Sequence, residues 1–223
     1  MVEAMARASA FLDPLLNRYL AEHVRPADPL LGELVTETER VAPGMDLSIS
    51  PDEGALLRVL VRLSGARSAV ELGTFTGYSS ICIAQGLPMD GRLLCCDVSA
   101  EWTAVARRFW ERAGLRDRIE LRLVPALETL AALPREPLFD FAFVDAVKDE
   151  YVDYYEALVP RLTPRGIIAV DNVLRRGQVA SAAAPDERTT VIRRFNDHVR
   201  DDPRTDSLIV PIGDGLSLIT LAA

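Results

Sequence analysis

Five apolar runs, each too short for a helix, recur through the middle of this chain, and most of them close on an acid. They are SAVEL (68–72), GRLLCCDV (91–98), RIELRLV (118–124), FDFAFVD (139–145) and GIIAVDN (166–172). Helical patterns separate them, near 78–85, 101–114, 150–159 and 187–199, with a short one reaching Leu130. Nearly continuous apolar strands alternating with helices predict a parallel sheet covered on both faces, an α/β fold. Two further runs, DSLIVPI and GLSLITL, flank the glycines at 213 and 215 and predict a closing antiparallel pair. Ahead of the sheet, three helices are predicted at 2–23, 29–41 and 51–64; Ser50 and Pro51 form an N-cap and first-turn proline, with Asp52 and Glu53 favouring the helix start. Parallel sheets bind ligands beyond the carboxyl ends of their strands. Glu71, Asp97, Asp145 and the pair Asp171-Asn172 are therefore expected to share one rim.

Composition narrows the partners. The formal net charge is −8, whereas nucleic-acid binding needs a basic face that displaces counterions. Arg107-Arg108 and Arg193-Arg194 read as solvated helix faces, so neither nucleic acid nor a membrane surface is expected as a partner. No apolar run approaches the roughly 20 residues of a membrane span, and the first residues lack the pattern of a signal peptide. Three cysteines, 82, 95 and 96, form an odd and partly adjacent set, which reads as reduced thiols and a cytoplasmic location. His23 and His198 stand alone, outside any zinc spacing.

The stretch ELGTFTGYSS (71–80) turns from strand to helix on Gly73 and Gly77. It is neither the G-x-G-x-x-G dinucleotide fingerprint nor a phosphate loop. The following helix start, with Ser79, could hold a carboxylate. Asp97, ending the second strand, is placed to accept from a ribose diol. An acidic rim and a turn without a dedicated cation suit an adenosyl ligand with a positive sulfur, such as S-adenosylmethionine. Asp145, Asp171 and Asn172 are oxygen donors at adjacent strand ends and suit Mg²⁺, with Mn²⁺ or Ca²⁺ fitting the same atoms; the plainer reading of Asp171-Asn172 is a turn. One lysine occurs in the chain, Lys148, three residues past Asp145. An amine can accept a proton where a guanidinium cannot; the plainer reading is a surface partner of Asp149 or Glu150.

Taken together, ELGTFTGYS, CDVS, VPALETL, FVDAVKDEY, DNVLRRGQV and VPIGDGLSLITL resemble the metal-dependent small-molecule O-methyltransferases, which include caffeoyl-CoA and catechol O-methyltransferases. The likeness runs from about residue 45 to the C-terminus. It implies a Rossmann-like class I methyltransferase fold with a mostly parallel seven-stranded sheet, in a single domain whose helices at 1–66 cover a core at 67–223. It implies contacts to S-adenosylmethionine from Leu47, Glu71, Gly73, Thr74, Ser79, Asp97, Ala126 and Asp145, a divalent metal on Asp145, Asp171 and Asn172, Lys148 as base, and a homodimer. A catechol-type phenol is the expected substrate. Val147 stands where plant caffeoyl-CoA enzymes carry an aspartate, and the tryptophan they carry near 175–176 is missing, which argues against a CoA thioester. Arg175 and Arg176 either meet a substrate carboxylate or face solvent. Segments 45–50 and 175–185 are candidate lids. A metal-independent methyltransferase, a nicotinamide-dependent oxidoreductase and a non-catalytic adenosyl-binding module are the competing readings.

Overall fold

The sheet of the computed structural model runs in the order β3-β2-β1-β4-β5-β7-β6, and the structure describes residues 11–23, 28–45 and 47–222. β1 (Ser68–Leu72), β2 (Arg92–Cys96), β3 (Ile119–Arg122), β4 (Phe139–Val144) and β5 (Leu162–Val170) pair in parallel. β6 (Thr205–Val210) and β7 (Leu216–Leu221) form the expected antiparallel pair, and β7 inserts between β5 and β6. The chain steps outward from β1 to β3 and then returns to lay β4 against the other side of β1. That reversal opens a crevice between the carboxyl ends of β1 and β4, where such sheets bind ligands.

Two cores sandwich the sheet because side chains alternate along each strand. Along β4, Phe141 and Phe143 face one way, Ala142 and Val144 the other. The first core is completed by α2 (Pro29–Val41), α3 (Pro51–Ser64), α4 (Tyr78–Gly86) and α5 (Ala100–Arg112). The second is completed by α6 (Ala126–Ala131), α7 (Tyr151–Leu158) and α8 (Glu187–Asp201), with Tyr151, Tyr154, Tyr155 and Phe195 as its largest side chains.

Local signals set the helix boundaries that matter for the site. The Ser50 hydroxyl accepts from the Glu53 amide at 3.3 Å, Pro51 occupies the first turn, and Gly65 closes α3 at φ 71°. Ser99 caps α5 through the Trp102 amide at 3.2 Å. Arg118 gathers the carbonyls of Ala84, Leu87 and Pro88 at the end of α4. The N-terminal helices are bound to the rest by Thr38, whose hydroxyl meets that of Thr76 at 2.8 Å, and by ion pairs from Glu37 to Arg108 and Glu33 to Arg112. Exposed pairs of this kind contribute little individually, because solvent screens them.

Three expectations are corrected. The first predicted helix, 2–23, is α1 (Pro14–His23) where it is described; residues 1–10 lie outside the described residues. β5 begins at Leu162 rather than Gly166, because Phe139 of β4 pairs with Leu162 across a register shift and recruits the polar TPR segment. The helix predicted at 150–159 divides into a 3₁₀ turn (Lys148–Glu150), α7, and a second 3₁₀ turn (Val159–Arg161) that contains Pro160. No helix of the described residues is long and apolar enough to cross a membrane. Leu57 of α3 is fully buried; Leu57→Ala is expected to lower stability by about 2–5 kcal/mol in chemical denaturation, through lost transfer energy and a cavity.

Candidate active site

A cavity of about 520 Å³ opens at the β1–β4 crevice. The turn after β1 forms its base. Gly73 has φ 88°, and a Cβ there would run into the backbone carbonyl of Asp145. Gly77 has φ 92°, and a Cβ there would lie 2.8 Å from Ala106 Cβ. Both positions therefore require glycine for close approach as well as for conformation. The turn is held by Asp97, whose Oδ2 accepts from the Thr74 and Phe75 amides at 2.9 and 2.8 Å, while Oδ1 accepts from Ser99 at 2.8 Å.

Most of the residues expected at a cofactor line this cavity: Leu47, Gly73, Thr74, Ser79, Asp97, Ala126 and Asp145. Glu71 does not. It lies inside β1, fully buried beneath the turn, and its Oε2 accepts from the Cys95 thiol at 3.3 Å while Oε1 has no partner. Burial pushes its carboxyl up to about 8. The structure places Glu71 within β1, beneath the turn, rather than on the cavity wall.

Asp145, Asp171 and Asn172 come together as their strands do. Val144 and Val170 are paired in register, and the Asp145 and Asp171 amides continue the ladder to Leu72 and Val144 carbonyls at 2.9 and 3.0 Å. Asn172 adopts φ 62°, a conformation asparagine tolerates better than most residues, and all three residues line the cavity. Burial first, and then the neighbouring Asp145, raises Asp171 to about 7; Lys148 acts in the opposite sense. Glu53, from the first turn of α3, is buried behind this pair with Oε1 unpartnered. Burial, then Asp171 and Asp145, holds its carboxyl well above the usual range. Two strand-end acids, an amide oxygen and a third crowded carboxyl suit a hard divalent cation, which takes oxygen ligands and relieves the repulsion.

Lys148 stands at the edge of this group. Its Nζ donates to Asp145 Oδ1 at 2.6 Å and to the Tyr151 hydroxyl at 2.7 Å. Asp149 and Glu150, the alternative partners considered from sequence, are not its partners; Glu150 accepts from the Tyr154 hydroxyl at 2.5 Å. Among the described residues lining the cavity, Lys148 is the one cation. Arg175 donates to Gln178 and Asp186 at 3.2 and 2.8 Å, and neither Arg175 nor Arg176 lines the cavity. Of the two candidate lids, the first contributes Leu47, Ser48 and Ile49 to the wall and the second contributes none of the lining.

Sequence reasoning missed Glu53, Tyr151 and the aromatic wall. Phe75 and Trp102 meet edge to face at 4.9 Å beside Asp97. Trp102 was within reach, since it follows Asp97 by five residues and opens α5. A separate group, Glu156, His198 and Asp202, also places possible ligand atoms close together. Arg204 already fills it, donating to Glu156 at 2.6 Å and to Asp202 at 2.5 Å.

With the geometry in place, comparison with known proteins gives a consistent answer. Residues 21–221 match the O-methyltransferase family. The mouse catechol O-methyltransferase domain-containing protein 1 is 38% identical over 92% of this chain and 77% of its own length. Caffeoyl-CoA O-methyltransferase 1 of Eucalyptus globulus is 34% identical over 92% of this chain and 87% of its own. The crystal structure of the Bacillus cereus O-methyltransferase in complex with SAH superposes with a TM-score of 0.84 at 32% identity, covering 93% of this chain and 97% of that one. The chain belongs to the O-methyltransferase family, and its reaction is methyl transfer from S-adenosylmethionine to oxygen.

Glu71 gives a pH test of the buried support. Its folded pKa, about 8, lies above the ordinary 4.5. Its contribution is therefore fully present below pH 4.5 and is lost as pH rises through 8, because folding keeps a proton that the unfolded chain releases. The slope approaches about 1.4 kcal/mol per pH unit at most. Glu71→Gln is expected to gain stability relative to the parent between pH 5 and pH 8, read from denaturation midpoints at each pH.

Proposed function

We propose that this enzyme methylates one hydroxyl of a catechol-type aromatic small molecule, using a divalent cation and Lys148 as the proton acceptor. The observation that carries the reading is the placement of Lys148 Nζ 2.6 Å from Asp145, beside Asp171 and Asn172, on the wall of the cavity that Asp97 and the glycine turn also line. Gly73, Thr74, Ser79, Asp97, Ala126 and Leu47 would hold S-adenosylmethionine, with the free acceptor positions of Asp97 suited to a ribose diol and Phe75 and Trp102 giving an apolar wall. Asp145, Asp171 and Asn172 would hold the cation, Mg²⁺ by preference for carboxylate and amide oxygens. When bound there, a divalent cation favours the anionic form of a phenol, which otherwise ionises near pH ~10.

The chain's own residues do the rest. Lys148 receives the phenolic proton at Nζ; a guanidinium in its place cannot, since it stays protonated. The crevice walls orient donor and acceptor for in-line attack and exclude water, which favours a reaction in which opposite charges neutralise. Val147, half exposed on the cavity wall, supports a compact phenol over a CoA thioester, and the absence of arginine from the described lining argues against a substrate carboxylate as a recognition element. The exposed apolar side chains of Leu15, Leu16, Tyr19 and Leu20 on α1 are consistent with the homodimer we also propose.

A catechol panel assayed with labelled S-adenosylmethionine tests the reading. Chelator is expected to abolish turnover and Mg²⁺ or Mn²⁺ to restore it; turnover that ignores chelator would remove the cation and leave a metal-independent methyltransferase. Lys148→Arg, which keeps the charge, is expected to lose at least about 100-fold in kcat, the scale of general base catalysis; full activity would remove the base assignment.

A further inference from the structure

Tyr151 is a fully buried tyrosine that does not line the cavity, yet it touches two of the three polypeptide segments that build the reactive corner. It is the first residue of α7, directly after the 3₁₀ turn that carries Lys148. Its hydroxyl lies 3.0 Å from the backbone carbonyl of Asp171, at the end of β5, and 2.7 Å from Lys148 Nζ. The direction of both bonds is fixed by chemistry. A carbonyl oxygen only accepts, so the single tyrosine hydrogen points to Asp171, and the phenolic oxygen has only lone pairs left for the N–H of Lys148.

We infer that Tyr151 is a positioning residue for Lys148, holding the amine at the rim while Asp145 serves the cation. The inference rests on the base reading of Lys148. Asp145 is the lysine's other partner, at 2.6 Å. A carboxylate engaged by a divalent cation has less electron density left for the lysine N–H, so an acceptor outside the ligand set is needed to keep the amine in place. Tyr151 is that acceptor. Its ring is itself locked, lying edge-on to Phe195 of α8 at 5.4 Å and 75°. The chain of bonds from lysine to phenol to the Asp171 carbonyl ties the base to the strand that supplies two of the proposed ligands, so amine and ligand set keep one spacing.

A tyrosine that only filled the core would be replaceable by phenylalanine with little effect on the lysine. Tyr155 provides the comparison: it is also fully buried in α7, but its hydroxyl bonds to Asp202 and Thr205, at 2.7 and 2.8 Å. Tyr151→Phe and Tyr155→Phe therefore remove the same atom from the same helix.

The single lysine of the chain makes the test direct. Full-length protein labelled with [ε-¹³C]lysine gives one side-chain signal, recorded with and without Mg²⁺. In the parent and in Tyr155→Phe that signal is expected away from the free-lysine position; in Tyr151→Phe it moves toward it. This arm needs no substrate. In the methylation assay, Tyr151→Phe is expected to lower kcat about 10- to 100-fold, the scale of one hydrogen bond to a charged group, with KM within about twofold because the residue touches no substrate. A lysine signal unchanged by Tyr151→Phe, or a kcat loss matched by Tyr155→Phe with an equal fall in melting temperature, overturns the inference while the base reading stands. Full activity of Lys148→Arg overturns the base reading instead and removes the catalytic consequence of the contact, which the lysine signal still reports.

Discussion

Crowded negative charge at the carboxyl ends of β4 and β5 is the constraint on which the rest of the site turns. Asp145 and Asp171 are brought side by side by the ladder between their strands, and Glu53 is pressed against them from α3. Glu53 and Asp171 are buried, so water screens them poorly. Such an arrangement costs stability unless positive charge arrives or protons are retained. Among the described residues, Lys148 is the one cation on the wall. Burial first, and then the neighbouring carboxylates, hold Asp171 and Glu53 above their ordinary range, and the same crowding makes a divalent ion fit the corner chemically.

Backbone approach is the second requirement, and it acts on the other side of the crevice. Gly73 lets β1 end against the Asp145 carbonyl, so the glycine turn and the acidic corner share a wall instead of being separated by a side chain. Asp97 then fixes the turn with two amide bonds. Glu71 underlies it, and complete burial pushes its carboxyl up to about 8. The acid nearest the glycines in the sequence is therefore buried off the described lining, and the one twenty-six residues later faces the cavity.

Much of this was legible in the residues. The strand runs, their order and the antiparallel ending follow from apolar periodicity and turn glycines, because those patterns are local. Asp97, Asp145, Asp171 and Asn172 could be assigned to one rim because parallel strands all deliver their carboxyl ends to the same side. Glu71 was misplaced by the same logic: one residue short of the strand end, alternation points it inward. The start of β5 was missed because Pro164 and Arg165 hide a strand that only pairing with β4 creates. Glu53 read as a helix-dipole acid, which it also is; nothing within α3 says that its first turn abuts β5.

What the sequence by itself determined is the set of elements and the kind of chemistry: oxygen donors at strand ends, glycines at a turn, and one amine able to accept a proton among arginines that cannot. Those properties belong to residue types and short-range spacing, and they hold whatever the chain packs against. Only the tertiary structure decided which groups are crowded, which are buried and which hold others in place. Glu53, Tyr151 and Lys148 come from α3, α7 and the turn before it, and packing brings them together at the ends of β4 and β5. Burial and proximity are set by how distant segments pack, and they alone shift a carboxyl's proton or aim a lysine's amine.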